Sequence, residues 1–170
     1  MAEYIFREVI DDDIPKLAEL HAAAWKETYE LIYPDKTDFP TAELREWQWR
    51  ELFKQTSRTW FCYVIENSKS ELIGFAKGQD FNHSNYPEIK GELNKIYLLR
   101  KYHNQGLGIK LFKLVVSKLI SNGKTNMILF SDPENPTTKF FEKLGGKTVY
   151  AKNGEFHGAY IWNSLDEFNQ

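Results

Sequence analysis

The stretch Tyr102-His103-Asn104-Gln105-Gly106-Leu107-Gly108-Ile109-Lys110 constrains this chain more than any other. An apolar run, Ile96-Tyr97-Leu98-Leu99, enters it, and an amphipathic pattern from Leu107 to Ile120 leaves it. That succession reads as strand, glycine-containing turn and helix. The first backbone N–H groups of a helix have no intrahelical partner, and the aligned peptide dipoles add partial positive charge there. Gly106 and Gly108 remove the side chains that would hold a ligand away from those groups. The expected product is a cradle for an anion, phosphate above all. A dinucleotide fingerprint would need a third glycine where Leu111 stands, and the Gly-Lys-Ser/Thr of a P-loop is absent.

Around this turn the chain reads as alternating strands and helices. Tyr4 to Val9 alternates as a strand. Asp11-Asp12-Asp13 offers an N-cap and Pro15 suits a first turn, so a helix follows, carrying Ile14, Leu17, Leu20, His21, Ala24 and Trp25. It ends at Tyr29-Glu30-Leu31-Ile32-Tyr33-Pro34. Thr41 caps a second helix with Leu44, Trp47, Leu52 and Phe53. Trp60–Glu66 and Glu71–Lys77 form a hairpin, Gly78 to Pro87 is polar loop, and Ile89 to Leu99 is the strand that feeds the glycine turn. Gly123 stops the next helix. Met127-Ile128-Leu129-Phe130 is continuously apolar, as in a strand covered on both faces. Asn135-Pro136 starts a last helix as N-cap and first residue, and a hairpin around Asn153-Gly154 closes the chain. The order predicts an α/β fold with a mixed central sheet flanked by helices on both faces. At 170 residues without linkers or repeats, residues 1–170 read as one domain.

Composition narrows the function classes. A net charge of −2 argues against a broad basic surface for nucleic acid. The single cysteine, Cys62, cannot form an internal disulfide and is too little for a zinc site, so no metal is expected. No signal peptide or membrane-length apolar run is visible, so the expectation is a soluble cytoplasmic protein.

The glycine stretch resembles the acyl-CoA loop of the GNAT N-acetyltransferase family, Gln/Arg-x-x-Gly-x-Gly/Ala between a strand and a helix. Here it reads His103-Asn104-Gln105-Gly106-Leu107-Gly108, with His where Gln or Arg is usual. A second stretch, Glu134-Asn135-Pro136-Thr137-Thr138-Lys139-Phe140-Phe141-Glu142-Lys143-Leu144-Gly145-Gly146, is similar to the family's Asn-Pro-x-x-x-Phe-Tyr-Glu-Lys-Leu-Gly. The element order is the family's too. The resemblance implies acetyl-CoA as cosubstrate, its pyrophosphate over residues 103–108. It implies pantetheine pairing with the backbone of Ile96, Tyr97 and Leu98, and the Leu98 N–H on the thioester oxygen. Asn135 would meet the pantetheine or serve as a plain N-cap.

The resemblance also makes Glu92 the candidate general base. It lies six residues before Leu98, a spacing that puts both on one face of an undisturbed strand and that a bulge would break. A substrate anchor or a solvated strand-end carboxylate are the other readings of Glu92. Where many members carry a general-acid Tyr, this chain has Phe141; Tyr97, Tyr102 and Ser131 are near in sequence. The first helix and its loop form an acceptor wall in the family, which points to Trp25, Tyr29 and Tyr33 for a cationic amine, or to core packing. The expected activity is direct acetyl transfer to the primary amine of a small molecule such as a polyamine or amino-acid derivative. A non-catalytic CoA-sensing module and a protein N-terminal or lysine acetyltransferase are the alternatives. A homodimer is expected by analogy with the family.

Overall fold

Residues 3–169 are described by a computed structural model. The chain runs through β1 (Tyr4–Glu8), α1 (Ile14–Ile32), α2 (Ala42–Phe53), β2 (Trp60–Asn67), β3 (Leu72–Asp80), β4 (Gly91–Leu98) and α3 (Leu107–Ser121). It continues through β5 (Met127–Phe130), α4 (Thr138–Lys143), β6 (Lys147–Tyr150) and β7 (Phe156–Trp162). One mixed seven-stranded sheet has the order β1-β2-β3-β4-β5-β7-β6. Its one parallel pairing is β4 with β5, joined by α3.

Each face of the sheet is covered by its own apolar stripe. On one face α3 buries Leu111, Phe112, Val115, Val116 and Leu119 against Leu93, Met127, Leu129 and Tyr160. On the other, α1 and α2 bury Leu17, Leu20, Ala24 and Trp49 against Val64 and Phe75. Full burial of a large apolar side chain contributes about 1.5–3 kcal/mol. The uninterrupted apolarity of Met127–Leu129 is what both coverings require, and all three residues are at most 3% exposed.

Several boundaries differ from the sequence expectation, each for a local reason. Asp13 does not cap α1: its carboxylate receives both guanidinium nitrogens of Arg7 at 2.7 and 2.8 Å and the Ile10 N–H at 2.9 Å. Asn135 does not begin α4, which starts at Thr138. Its Oδ1 instead accepts from the Thr137 N–H and hydroxyl at 3.0 and 2.8 Å, closing a polar turn two residues before the cap position, Thr137. Gly78 to Asp80 are strand, not loop; Gly78 lies on the Phe61 ring, and Gln79 and Asp80 pair with Glu92 and Gly91. Thr41 caps α2 as expected, accepting from the Leu44 N–H at 3.2 Å.

Candidate active site

The glycine stretch, β4 and α4 enclose a cleft of about 320 Å³. Its construction follows from ladder geometry. The Leu99 N–H donates to the Ile73 carbonyl at 3.0 Å. Hydrogen-bonded pairs alternate in an antiparallel ladder, so Tyr97 and Lys95 bond to β3 while the main-chain groups of Ile96 and Leu98 turn away from it. They turn toward β5, which pairs with β4 only at Glu92 and Ile128 among the described residues. The two strands therefore part beyond that point. Gly106 precedes α3 at φ +78 and contributes no side-chain cap, so the first amides of the helix stay open.

Ile96, Leu98, His103, Asn104, Gly106 and Gly108 all line this one cleft, with Thr137, Phe140 and Phe141 opposite. The remaining residues expected at a coenzyme site are elsewhere. The Tyr97 side chain points through the other face, packed on Phe75 and His21. Gln105 turns back to accept from the Tyr4 hydroxyl at 3.2 Å. Leu107 is buried in the α3 core, and Asn135 is held in its own turn. The imidazole of His103, expected over the pyrophosphate, turns back to β4. Its Nε2–H donates to the Leu98 carbonyl at 2.7 Å, at the free edge of β4.

Glu92 lies on the opposite face from Leu98. Lys77 pairs with Lys95 but Gly78 pairs with Leu93, so β4 carries an extra residue, Asn94. This bulge breaks the even-spacing expectation. Leu98 and Leu93 face α3, while Glu92 and Tyr97 face α1 and α2. Glu92 is 9% exposed and accepts from Gln79 Nε2 at 2.6 Å and Asn94 Nδ2 at 3.2 Å. Lys77, 5% exposed, donates to Asn94 Oδ1 at 3.2 Å and to Gln79 Oε1. Glu92 is thus a buried carboxylate held by amides, not a solvated strand end.

Burial, then the charge of Lys95, pushes the Lys77 ammonium down to about 8, against the pull of Glu92. An unfolded lysine titrates near 10.4, so between these values the unfolded chain binds more protons and stability rises with pH. From pH 8 to 9 the protein should gain about 1 kcal/mol of unfolding free energy that Lys77→Met lacks. Urea unfolding of both at the two pH values checks this. The Cys62 thiol, held up by burial, works in the other direction from about pH 8.5 upward, equally in both proteins, so the difference between them reads Lys77.

Trp25, Tyr29 and Tyr33 line a second hollow together with Lys36 and Asp132, about 490 Å³ in volume. Their rings run in series, with centroids 4.2 Å apart for Trp25 and Tyr29 and 6.3 Å for Tyr29 and Tyr33. The Tyr33 hydroxyl donates to Asp132 Oδ2 at 2.6 Å, tying α1 to the segment after β5. The Tyr29 and Tyr97 hydroxyls interact, and burial raises the pKa of both. These aromatics wall a cavity rather than fill a core. Of the groups near Phe141 in sequence, Tyr102 packs against Tyr4 and accepts from Asn67 at 3.3 Å. Phe141 itself is 4% exposed and lies on Tyr160.

Three cations escaped the sequence reading: Arg45, Lys77 and Lys95. The signal was present, since Lys77 and Lys95 each sit two residues from a buried aromatic, Phe75 and Tyr97, on alternating strands. His21 is neutral among them. Burial first, then Arg45 and Lys95, push it down to about 2, and its Nδ1 accepts from Trp49 Nε1–H at 3.2 Å. Among the described residues no group of His, Cys, Asp or Glu is placed to hold a metal, and no helix is long and apolar enough to cross a membrane.

Residues 22–146 match the sequence profile of the acetyltransferase (GNAT) family. An uncharacterized N-acetyltransferase, YuaI, of Bacillus subtilis (strain 168) is 28% identical over 155 residues, covering 91% of this chain and 87% of that protein. The PaiA N-acetyltransferase of Thermoplasma acidophilum, solved in complex with coenzyme A, superposes with a TM-score of 0.69 at 20% identity, over 94% of this chain and 98% of that one. An acetyltransferase from Thermus thermophilus gives 0.68 at 16% identity, covering 94% and 96%. At these identities the solved structures bear on the fold.

Proposed function

The chain belongs to the acetyltransferase (GNAT) family, and we propose that it transfers the acetyl group of acetyl-CoA directly to the primary amine of a small molecule. One observation carries the reading: the open amides after Gly106 and the main chain of Ile96 and Leu98, which no strand pairs on that side, face the same cleft. A diphosphate on the amides of residues 104–108 leaves the pantetheine to lie along β4 as an added strand. There His103 would give up the Leu98 carbonyl. The Leu98 N–H then meets the thioester oxygen, where negative charge builds during attack.

The bulge at Asn94 gives the two reactants separate entrances. Coenzyme comes from the α3 and α4 face; the amine comes from the α1 and α2 face, where Glu92 stands. An alkylammonium with a pKa of about 10 must lose a proton before it attacks. Glu92 stands at the other end of β4 from Leu98, so it accepts that proton through a chain of waters. The nitrogen lone pair adds to the carbonyl carbon, the C–N bond forms, the C–S bond breaks, sulfur leaves with the electron pair, and the second proton lost by nitrogen passes through solvent to the thiolate. Holding both partners together supplies much of the rate. A hollow of about 490 Å³ walled by Trp25, Tyr29 and Tyr33 has the size of a small-molecule site.

Release of free coenzyme A thiol across an amine panel tests this reading. Thermal unfolding with CoA, NAD and ATP tests the cosubstrate. Stabilisation by NAD or ATP to the same extent would sink it. Phe141 favours a second reading, a CoA-sensing module without turnover, because phenylalanine has no proton for the leaving thiolate. Phe141→Tyr should raise kcat roughly tenfold or more if transfer is the function, and should leave a pure sensor silent. Leu44 and Trp47, exposed on α2, support the homodimer expectation, which sedimentation checks.

A further inference from the structure

We propose that the acceptor amine carries an anionic group at its far end and that Arg45 and Lys95 receive it. This rests on the transfer reading above and names the substrate class. Lys77 and Lys95 stand on the sheet face under α1 and α2 beside the Glu92 carboxylate, and Arg45 comes from α2, which covers that face. Lys77 and Lys95 stand directly opposite each other in the β3–β4 ladder, an arrangement that like charges disfavour. Both Glu92 oxygens already accept from Gln79 and Asn94.

Arg45 and Lys95 are half-buried, and among the described residues neither lies within 4.0 Å of a carboxylate. Arg45 donates through Nη1 to Gln48 at 3.0 Å, while its buried Nε has no partner. The other charges nearby are engaged. Asp132 accepts from the Tyr33 hydroxyl at 2.6 Å and the Glu134 N–H at 2.9 Å, and Lys36 pairs with Asp38 at 3.1 Å. His21, between the two cations, is neutral and adds nothing.

Desolvated cations without counter-charge are costly, and an anion arriving between them offsets that cost. The guanidinium lies 5.8 Å from the centroid of Trp25, the ring that walls the acceptor hollow. An anion at Arg45 therefore sits beside the hollow, and the amine end of the same molecule would point toward the gap between β4 and β5. The same field repels a second ammonium, which sets polyamines apart as poor acceptors.

The test uses matched amines that differ only at the far end. β-Alanine, 4-aminobutyrate and 5-aminopentanoate stand for carboxylates, and phosphoethanolamine stands for phosphates. Carboxamides and diamines of equal length complete the set. Thiol release should give kcat/KM at least about tenfold higher for an anionic amine than for its diamine. Arg45→Gln and Lys95→Gln should each remove most of that preference through KM, with CoA affinity unchanged. Measuring both variants guards against one that folds poorly. If diamines turn over faster, or the preference survives both substitutions, the inference falls while acetyl transfer stands. If CoA binds and no amine of any charge turns over, the transfer reading falls and takes the inference with it.

Discussion

Gly108→Leu should abolish coenzyme A binding in a protein that folds as well as the parent. Gly108 lies in the first turn of α3, and a Cβ there would face Phe140 Cζ across the cleft at 3.6 Å. Leucine at this position fills the space between the glycine turn and α4 and shields the amides meant for the diphosphate. Its backbone is helical, so replacing glycine favours α3 by up to about 1 kcal/mol. Affinity for CoA should fall at least a hundredfold, about 2.7 kcal/mol, with an unfolding midpoint at or above that of the parent. Calorimetric titration with CoA reads the first and thermal unfolding the second. Gly106→Ala provides the contrast: its φ of +78 makes any side chain strained, yet nothing stands within 4 Å of the added carbon. That variant should lose about 1–2 kcal/mol of stability and keep more of its binding. If Gly108→Leu still binds CoA normally, the cleft is not the coenzyme site.

Glu92→Gln should lower kcat by roughly a hundredfold to ten-thousandfold, the range for losing a general base, with CoA affinity near normal. The shape of the side chain is kept, but its new amide nitrogen faces a donor, Gln79 Nε2 or Asn94 Nδ2, whose own oxygen is held by Lys77. The substitution also strips the carboxylate that stands near Lys77 and Lys95. A drop in stability of about 1–3 kcal/mol is therefore expected as well. Rates must be taken per folded molecule, well below the unfolding midpoint. An unchanged kcat across pH would remove Glu92 from the chemistry and leave it as a structural counter-charge.

The sheet and helices were legible because their apolar residues recur at clean periods, as in Leu111 to Leu119 of α3 and Met127 to Leu129 of β5. The cleft proposed for the coenzyme was legible because glycine at 106 and 108 has a conformational and steric meaning independent of context. The acceptor side was less so. Whether Glu92 and Leu98 share a face depends on one extra residue in the ladder, and nothing local in Asn94 announces a bulge. Gly78 to Asp80 look like loop by polarity and become strand because Glu92 and Gly91 are waiting across from them. Asp13 and Asn135 carry the right chemistry for helix caps, but tertiary partners took the first and a tighter local turn the second.

The seam between β4 and β5 has a consequence for the lifetime of the molecule. A single residue pair stitches four strands to the other three. Parting the two leaves there breaks little of the ladder. A pantetheine arm lying in the breach would act as a missing thread, so occupancy and stiffness rise and fall together. When acyl donor is scarce, the vacant form opens more often, and proteases that wait on such openings find it first.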